Sequence, residues 1–233
     1  MNDDQKAKLD FIRAFHEAAE SRIEFLADLH KKKHEVEALT LCLTYVDSFA
    51  QWLCWPCRES GKNFVNAVVN FGGNLLMGLI HPLQAISSLE RLKPPWPQIA
   101  GKVKQVFPGP KYELISKDQF LTKLNASLAT DELAQLRAEC WRGTLAATAY
   151  YFLRNPSVHS FGATELSFSG TTYQNKPISK MGFVELHAIL KNIHNELRRR
   201  SENNIQWFGD DRIVGIARLT NGSTGSPKKT GSR

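Results

Sequence analysis

Apolar residues in the first quarter of the chain recur every three or four positions, which is the spacing of one face of an α-helix. The first stretch, residues 4–33, is predicted to be a long amphipathic helix with an apolar face of Leu9, Ile12, Phe15, Ala19, Ile23, Leu26 and Leu29. In the second stretch, residues 34–55, additional apolar residues lie between the helical positions. We therefore expect the second helix to be buried more deeply than the first.

Prolines and glycines divide the next part of the chain. Pro56 ends the second helix, because proline lacks a backbone donor and disfavours helix at the preceding residue. Residues 61–71 are predicted to form a short helix that stops at a pair of glycines, and residues 74–92 a helical stretch interrupted by a proline. The proline-rich segment 93–97 is typical of a rigid, extended connector.

The C-terminal half combines two long helical patterns with a short alternating one. Residues 132–153 contain one glycine and no proline, so they are predicted to form a single long helix. The alternation that follows, with Ser169 and Gly170 as turn residues, predicts a small β-hairpin over residues 166–178. Residues 182–200 then carry apolar side chains at helical spacing and form the last predicted helix.

These elements predict a mainly α fold with a small β-hairpin, organised as a single helical domain over residues 1–218 and a disordered tail over residues 219–233. The 233 residues, 42% of them hydrophobic, are sufficient for a sizeable core. The longest apolar stretches fall far short of the roughly 20 residues that span a bilayer. We therefore expect no membrane association.

The charge and the cysteines limit the classes of partner and compartment. The chain has a net charge of +7, but Lys228, Lys229 and Arg233 in the tail supply three of these charges, so the remainder is only mildly basic. That balance is compatible with contact to RNA or DNA without requiring it. The opening residues are polar and acidic, which predicts no secretory signal and therefore a cytoplasmic protein whose four cysteines are reduced.

The segment Arg154-Asn155-Pro156-Ser157-Val158-His159 carries the candidate chemistry. Pro156 breaks the long helix directly after Arg154, which allows the arginine and His159 to point into one space. An imidazole can move protons near neutral pH, and a guanidinium can hold a phosphate through two parallel hydrogen bonds. Spacing alone favours a structural interpretation, because arginine is favoured at helix C-termini and a histidine after a turn often caps a carbonyl.

The pattern Arg-Asn-x-x-x-His at the end of a long helix resembles the signature of the HEPN superfamily. Arg154, Asn155 and His159 match that signature position by position. The upstream stretch Leu41-Cys42-Leu43-Thr44-Tyr45-Val46-Asp47-Ser48-Phe49-Ala50 also resembles the second helix of those domains, with an acidic residue in an apolar helix. The resemblance covers roughly residues 5–200 and implies a HEPN-like helical bundle.

The resemblance implies a metal-independent endoribonuclease, in a toxin or anti-phage defence setting, that uses the 2′-hydroxyl of the RNA as nucleophile. His159 would then be the general acid or base, Arg154 would stabilise charge on the phosphorane oxygens, and Asn155 would orient the phosphate or the histidine. It also implies an RNA substrate, a homodimer in which two motifs face one cleft, and an antitoxin or other regulatory partner. No cofactor or metal is expected.

Asp47 is a candidate supporting residue, because an acid on the buried face of a helix needs a partner, and Arg154 or His159 could supply it. A purely structural ion pair or hydrogen bond is an equally good interpretation of Asp47. Some HEPN domains are not nucleases. The alternative for the whole chain is therefore a non-catalytic helical module that binds a protein or a nucleotide.

Other patterns are weaker. Cys54-Trp55-Pro56-Cys57 has the spacing of thiol-disulfide oxidoreductases, but no strand precedes it, so a pair of partly buried thiols at a helix end is expected. His30 and His34 have metal-ligand spacing, but three lysines lie between them and favour a solvated basic end.

Two further predictions concern the last helix. His187 and His194 are expected on the surface, since no carboxylates are arranged around them as a site. The basic runs 31–33 and 198–200 could together form a surface that follows a phosphate backbone. A plain solvated helix end is the favoured interpretation of each run alone.

Overall fold

The structure is a computed structural model that describes residues 1–54, 59–109, 112–154, 165–168, 170–178 and 180–207. Its α-helices are α1 Asp3–Lys31, α2 Glu35–Leu53, α3 Ser60–Phe71, α4 Pro82–Glu90, α5 Trp96–Val106, α6 Lys117–Leu124, α7 Thr130–Glu139, α8 Leu145–Ala149 and α9 Phe183–Asn204. The strands are β1 Tyr112–Glu113, β2 Leu166–Ser167, β3 Thr171–Tyr173, β4 Lys176–Pro177 and β5 Lys180–Met181. The protein is mainly helical, as the sequence predicted.

The main hydrophobic core lies between α1, α2, α3, α8 and α9. A capping box begins α1, in which the Asn2 side chain accepts from the Gln5 amide and the Gln5 side chain accepts from the Asn2 amide. The apolar face predicted for α1 is buried at Ile12, Ala19, Ile23 and Leu26. The α2 helix packs against α1, α3 and α9 and buries eight of its residues, which confirms that it is the more buried of the first two.

A second hydrophobic cluster is built from one continuous part of the chain, between Ile80 and Cys140, and contains side chains of α4, α5, α6 and α7. Two antiparallel bridges meet at Ile80. The bridge to Ile115 lies within this cluster, whereas the bridge to Thr144 brings the two ends of the segment together, and the Leu145 amide donates to the Leu79 carbonyl over 3.1 Å. The chain therefore enters and leaves this cluster at adjacent points.

The single long helix expected over residues 132–153 is wrong. The α7 helix ends at Glu139, a 3₁₀ turn occupies Cys140–Gly143, and Thr144 caps a new helix by accepting from the Ala147 amide. The reason is tertiary. A Cβ at position 143 would lie 2.7 Å from the Cβ of Ala85, and the carbonyl of Gly143 accepts from the His81 amide. Close packing on α4 thus interrupts the helix.

The predicted β-hairpin is present with different pairing. The antiparallel hairpin is β3–β4, and its turn is at Gln174 and Asn175, which both have positive φ. Ser169, predicted as a turn residue, lies outside the described residues. The β2 strand pairs antiparallel with β5, and β1, distant in sequence, pairs parallel with β3. The pairing of β1 depends on a long-range contact that local alternation cannot show.

The proline-rich segment is not an extended connector. The peptide bond between Pro94 and Pro95 is cis, and the segment turns directly into α5, which begins at Trp96. Proline is well tolerated in the first turn of a helix, because its missing N–H would have no partner there. The predicted tail, residues 219–233, lies outside the described residues. No helix in the part of the chain that the structure describes is long and apolar enough to cross a membrane.

Candidate active site

An ion pair joins two of the predicted site residues. Nη2 of Arg154 lies 2.6 Å from Oδ2 of Asp47, and the two side chains are 21% and 14% exposed. Asp47 lies on the α2 helix and Arg154 comes 107 positions later. At this exposure the pair is shielded from water well enough to be stronger than a typical surface ion pair. The structure therefore fixes the orientation of the guanidinium from the side of α2.

Arg154 is presented by an unusual backbone turn. Tyr150–Arg154 form a π-helical turn directly after α8. A π turn holds more residues than an α turn, so it rotates the side chains that follow it, and such turns are frequent at functional sites. The guanidinium carbon of Arg154 lies 5.5 Å from the ring centroid of Tyr150, within the range of a cation–π contact. The π turn therefore places the Tyr150 ring beside the Arg154 guanidinium.

A chain of polar side chains connects this ion pair to α3. Oδ1 of Asp47 accepts from Nε2 of Gln51 at 3.3 Å, and Oε1 of Gln51 accepts from Nδ2 of Asn63 at 2.7 Å. Asn63 is completely buried. Since buried polar groups are costly unless they are hydrogen-bonded, this network holds Asp47 in place. At the other side, the hydroxyls of Tyr150 and Ser60 lie 3.0 Å apart, so α3 also contacts the π turn.

The structure brings together two of the four residues that the sequence singled out, Arg154 and Asp47. Asn155 and His159 lie outside the described residues, and their roles remain predictions. Among the four, the contact anticipated for Asp47 with Arg154 is present. The geometry allows a guanidinium in fixed orientation to hold an anion, because guanidinium carries five N–H donors and one carboxylate does not exhaust them.

Sequence reasoning missed the residues that surround this pair, namely Gln51, Ser60, Asn63 and Tyr150. Gln51 follows Asp47 by four residues and so lies on the same helix face, a signal that could have identified it. Asn63 lies in a mostly apolar helix, which also marks it as a buried polar residue. No sequence pattern points to Ser60 or Tyr150, because their contact depends on how α3 packs against the π turn.

The expectation that His194 lies on the surface is wrong. His194 is 2% exposed, and its Nε2 lies 3.2 Å from Nδ1 of the fully buried His16. Burial, the neighbouring His194 and Arg198 lower the pKa of His16 to about 4, against a smaller opposing effect of Glu202. Burial also lowers the pKa of His194. The two imidazoles therefore form a neutral hydrogen-bonded pair that joins α1 to α9.

His187 is also not a plain surface residue. It is half-buried, and its Nε2 lies 2.8 Å from the Ile23 carbonyl, which lowers the cost of its burial. His30, predicted at a solvated basic end, stacks on Phe183 with ring centroids 4.5 Å apart. His34 is exposed. His187 and His30 therefore act as packing residues of the α1–α9 contact.

The thiols of Cys42, Cys54 and Cys140, which lie within the described residues, are buried. Burial raises the pKa of Cys140 to about 11 and raises that of Cys42 further. Since the thiolate is the nucleophile, these two groups are poorly reactive at neutral pH. Cys57 lies outside the described residues. Within the described ranges, no three His, Cys, Asp or Glu side chains are grouped so as to hold a metal ion.

The basic run of the last helix is neutralised by acids. Arg198 contacts Glu20 and Glu202, and both Arg199 and Arg200 contact Glu196. Because each arginine is already paired with a glutamate, its charge is not available to contact the phosphate backbone of a nucleic acid. The structure therefore favours the interpretation of residues 198–200 as an ordinary helix end.

Comparison of the chain with protein-family models, with curated proteins and with solved structures gave no significant match. The resemblance to HEPN domains consequently depends on the motif and on the second-helix pattern.

Proposed function

We propose that the chain is a metal-independent endoribonuclease of the HEPN type, with Arg154, Asn155 and His159 at the reacting site. The observation that carries this proposal is the ion pair between Arg154 and Asp47, at the end of a π-helical turn. The partner on α2 and the π turn together hold the guanidinium in one orientation. Both features are expected where a cation must be held in one position against a developing charge.

In the proposed reaction the 2′-hydroxyl of the RNA attacks the adjacent phosphorus, and the bond to the 5′-oxygen of the next nucleotide breaks. The products are a cyclic phosphate and a 5′-hydroxyl, and no water or metal enters the balance. His159 would accept the proton of the 2′-hydroxyl or donate a proton to the leaving oxygen, a role worth about 10²–10⁴ in rate. Arg154 would stabilise the phosphorane, and Asp47 would hold Arg154 in position.

The proposal extends to the assembly and its setting. By resemblance the protein would act as a homodimer, with two copies of the motif lining one cleft, in a toxin or anti-phage defence setting under the control of an antitoxin or other regulator. Mixing an Arg154→Ala protein with a His159→Ala protein tests the composite cleft. Activity of the mixture above that of either variant alone requires residues from two chains in one site, whereas additive residual activity refutes a shared site.

The test of the chemistry uses purified protein, single-stranded RNA and EDTA. Wild type is expected to cut RNA and leave cyclic phosphate ends, while Arg154→Ala and His159→Ala lose about 10²-fold or more. His34→Ala is the matched control, since His34 is exposed. If His159→Ala cuts as fast as wild type, or if cutting requires a divalent ion, the proposal fails.

The alternative function is a non-catalytic helical module that binds a protein or nucleotide partner. One observation favours it: Asp47 already neutralises Arg154 in the free protein, as in a purely structural ion pair. Intact RNA after incubation with wild type, together with loss of stability in Arg154→Ala, would support this alternative.

A further inference from the structure

A cleft of about 380 Å³ lies where α3, α6 and α7 meet. It is lined by Lys62 and Asn66 of α3, Lys117 of α6, Arg137 of α7, and Trp141 in the 3₁₀ turn. We call these five residues the basic cleft. Ala134 and Ala138 also line it, and no carboxylate is among its described lining residues.

Lys62, Lys117 and Arg137 give the basic cleft three positive charges. Within the described residues, none of these cations forms an ion pair, in contrast to the arginines of α9. Three described acids, Glu59, Asp118 and Glu139, lie close to them in sequence. Glu139 pairs with Arg142 at 2.6 Å, and Asp118 lines a neighbouring pocket that shares Arg137 without forming an ion pair with it. Three cations around one concavity favour an anion, because low-dielectric walls concentrate their potential.

The cleft also has a hydrogen-bonding component. The indole N–H of Trp141 is buried and has no acceptor among the described residues. One face of its ring is covered by the Arg142 guanidinium, whose carbon lies 4.4 Å from the ring centroid. Because protein atoms cover this nitrogen, Trp141 does not offer it to a ligand in the cleft in this conformation. The amide of Asn66 can donate to such a ligand.

The basic cleft and the site of Arg154 share the α3 helix. Ser60, which contacts the hydroxyl of Tyr150, precedes Lys62 by two residues on α3, a rise of about 3 Å and a rotation of about 200° around the helix axis. The opposite wall contains Trp141. Arg142, the next residue in sequence, donates from Nη1 to the hydroxyl of Tyr151 at 3.2 Å. The elements that present Arg154 thus continue directly into the walls of the cleft.

We infer that the basic cleft binds phosphate groups of an RNA strand at nucleotides outside the scissile bond. This inference rests on the proposed function for its choice of RNA as the source of the phosphate. The cleft is a binding site, and its cations do not touch the reacting atoms. Its effect is to hold the strand so that one of its phosphates reaches Arg154.

The test compares RNA binding by two triple variants in a His159→Ala background with EDTA present. The first, Lys62→Ala/Lys117→Ala/Arg137→Ala, removes the three cleft cations. The second, Lys6→Ala/Arg22→Ala/Lys32→Ala, removes the same charge from exposed positions on and just after α1. The probe is a labelled single-stranded RNA oligonucleotide of mixed sequence, followed by fluorescence anisotropy as a function of salt.

Each phosphate contact to a single strand contributes about 0.7 to the slope of log affinity against log salt, so the cleft variant should lower that slope by about 2. Between about 50 and 200 mM salt, wild-type affinity should consequently fall about 20-fold further than that of the cleft variant. The α1 variant should keep the wild-type slope. Equal slopes for all three proteins would overturn the inference, as would equal losses in both triple variants.

Further arms distinguish the possible failures. A charge-preserving variant, Lys62→Arg/Lys117→Arg/Arg137→Lys, should keep the slope, which shows that the slope depends on the charge at these positions and not on the identity of the side chains. If inorganic phosphate binds wild type but not the alanine variant while RNA does not bind, the cleft takes a small free anion and the RNA assignment is refuted. If RNA binds through the cleft but wild type never cuts it, the proposed function fails and the inference stands. If wild type cuts RNA and the cleft alanine variant made with His159 intact cuts with unchanged KM, the inference fails and the proposed function stands.

Discussion

Mild acidification is expected to destabilise the protein through the histidine pair between α1 and α9. In an unfolded chain the imidazole pKa is about 6.5, whereas that of His16 in the fold is about 4. Between these values the unfolded state binds a proton that the folded state does not. The contribution of His16 to the free energy of unfolding is therefore complete above about pH 6.5 and is lost as the pH falls toward 4.

The magnitude follows from the size of the pKa difference. Each pH unit in that window removes about 1.4 kcal/mol per histidine, so a change from about pH 7 to about pH 5 should cost about 2 kcal/mol through His16 alone. The lowered pKa of His194 acts in the same direction. For a domain that is stable by about 5–15 kcal/mol, this loss is large enough to measure reliably.

Urea unfolding at the two pH values, followed by circular dichroism, measures this loss. Because carboxylates also titrate, the informative quantity is the difference between variants. His16→Gln should show a pH dependence smaller by about 2 kcal/mol than wild type, since Gln does not titrate. His34→Gln, changed at an exposed histidine, should behave as wild type. If wild type and His16→Gln lose the same stability on acidification, the buried pair does not titrate as argued.

Three further predictions concern stability, each measured by urea unfolding. Asp47→Ala should cost about 1–3 kcal/mol because Arg154 loses its partly buried partner, and a cost below about 0.5 kcal/mol would contradict the importance of the pair. Gly143→Ala should cost about 1–3 kcal/mol, and combination with Ala85→Gly should recover part of it, since the two Cβ atoms would lie 2.7 Å apart; purely additive costs would contradict this. Gln174→Asn should stabilise the β3–β4 hairpin by about 0.5 kcal/mol, because asparagine tolerates positive φ better than glutamine; no gain would mean that the turn is not strained.

The elements that local pattern could predict are those whose apolar face is continuous. The helices α1, α2, α3 and α9 were predicted to within a few residues, because each buries one stripe against the main core. The break at Gly143 could not be predicted, since it is set by contact with Ala85, 58 positions earlier in the numbering of the chain. Helical periodicity continues across the break and so conceals it.

Some residues of the candidate site could likewise be predicted from the sequence, and others could not. Arg154 and Asp47 were found from a motif and from the rule that a buried acid needs a partner. The burial of His194 was missed because its partner, His16, lies 178 positions away and the sequence around His194 looks like an ordinary solvated helix. Contacts of this kind depend on how helices are placed in space, which periodicity does not specify.

The adjacent entry and exit of the second hydrophobic cluster have a consequence for engineering. The Leu145 amide and the Leu79 carbonyl are in hydrogen-bonding contact, so the chain leaves and rejoins the main core at one place. A short loop from residue 79 to residue 144 would close this gap and keep Thr144 as the cap of α8, but it would remove Leu114 from the main core and β1 from its pairing with β3. The arginine site of the main core would keep its supports in Asp47, Ser60 and Tyr150, while the basic cleft would lose the walls that α6 and α7 supply. Replacing the chain between these two points with a different segment would therefore change the basic cleft and keep the residues that position Arg154.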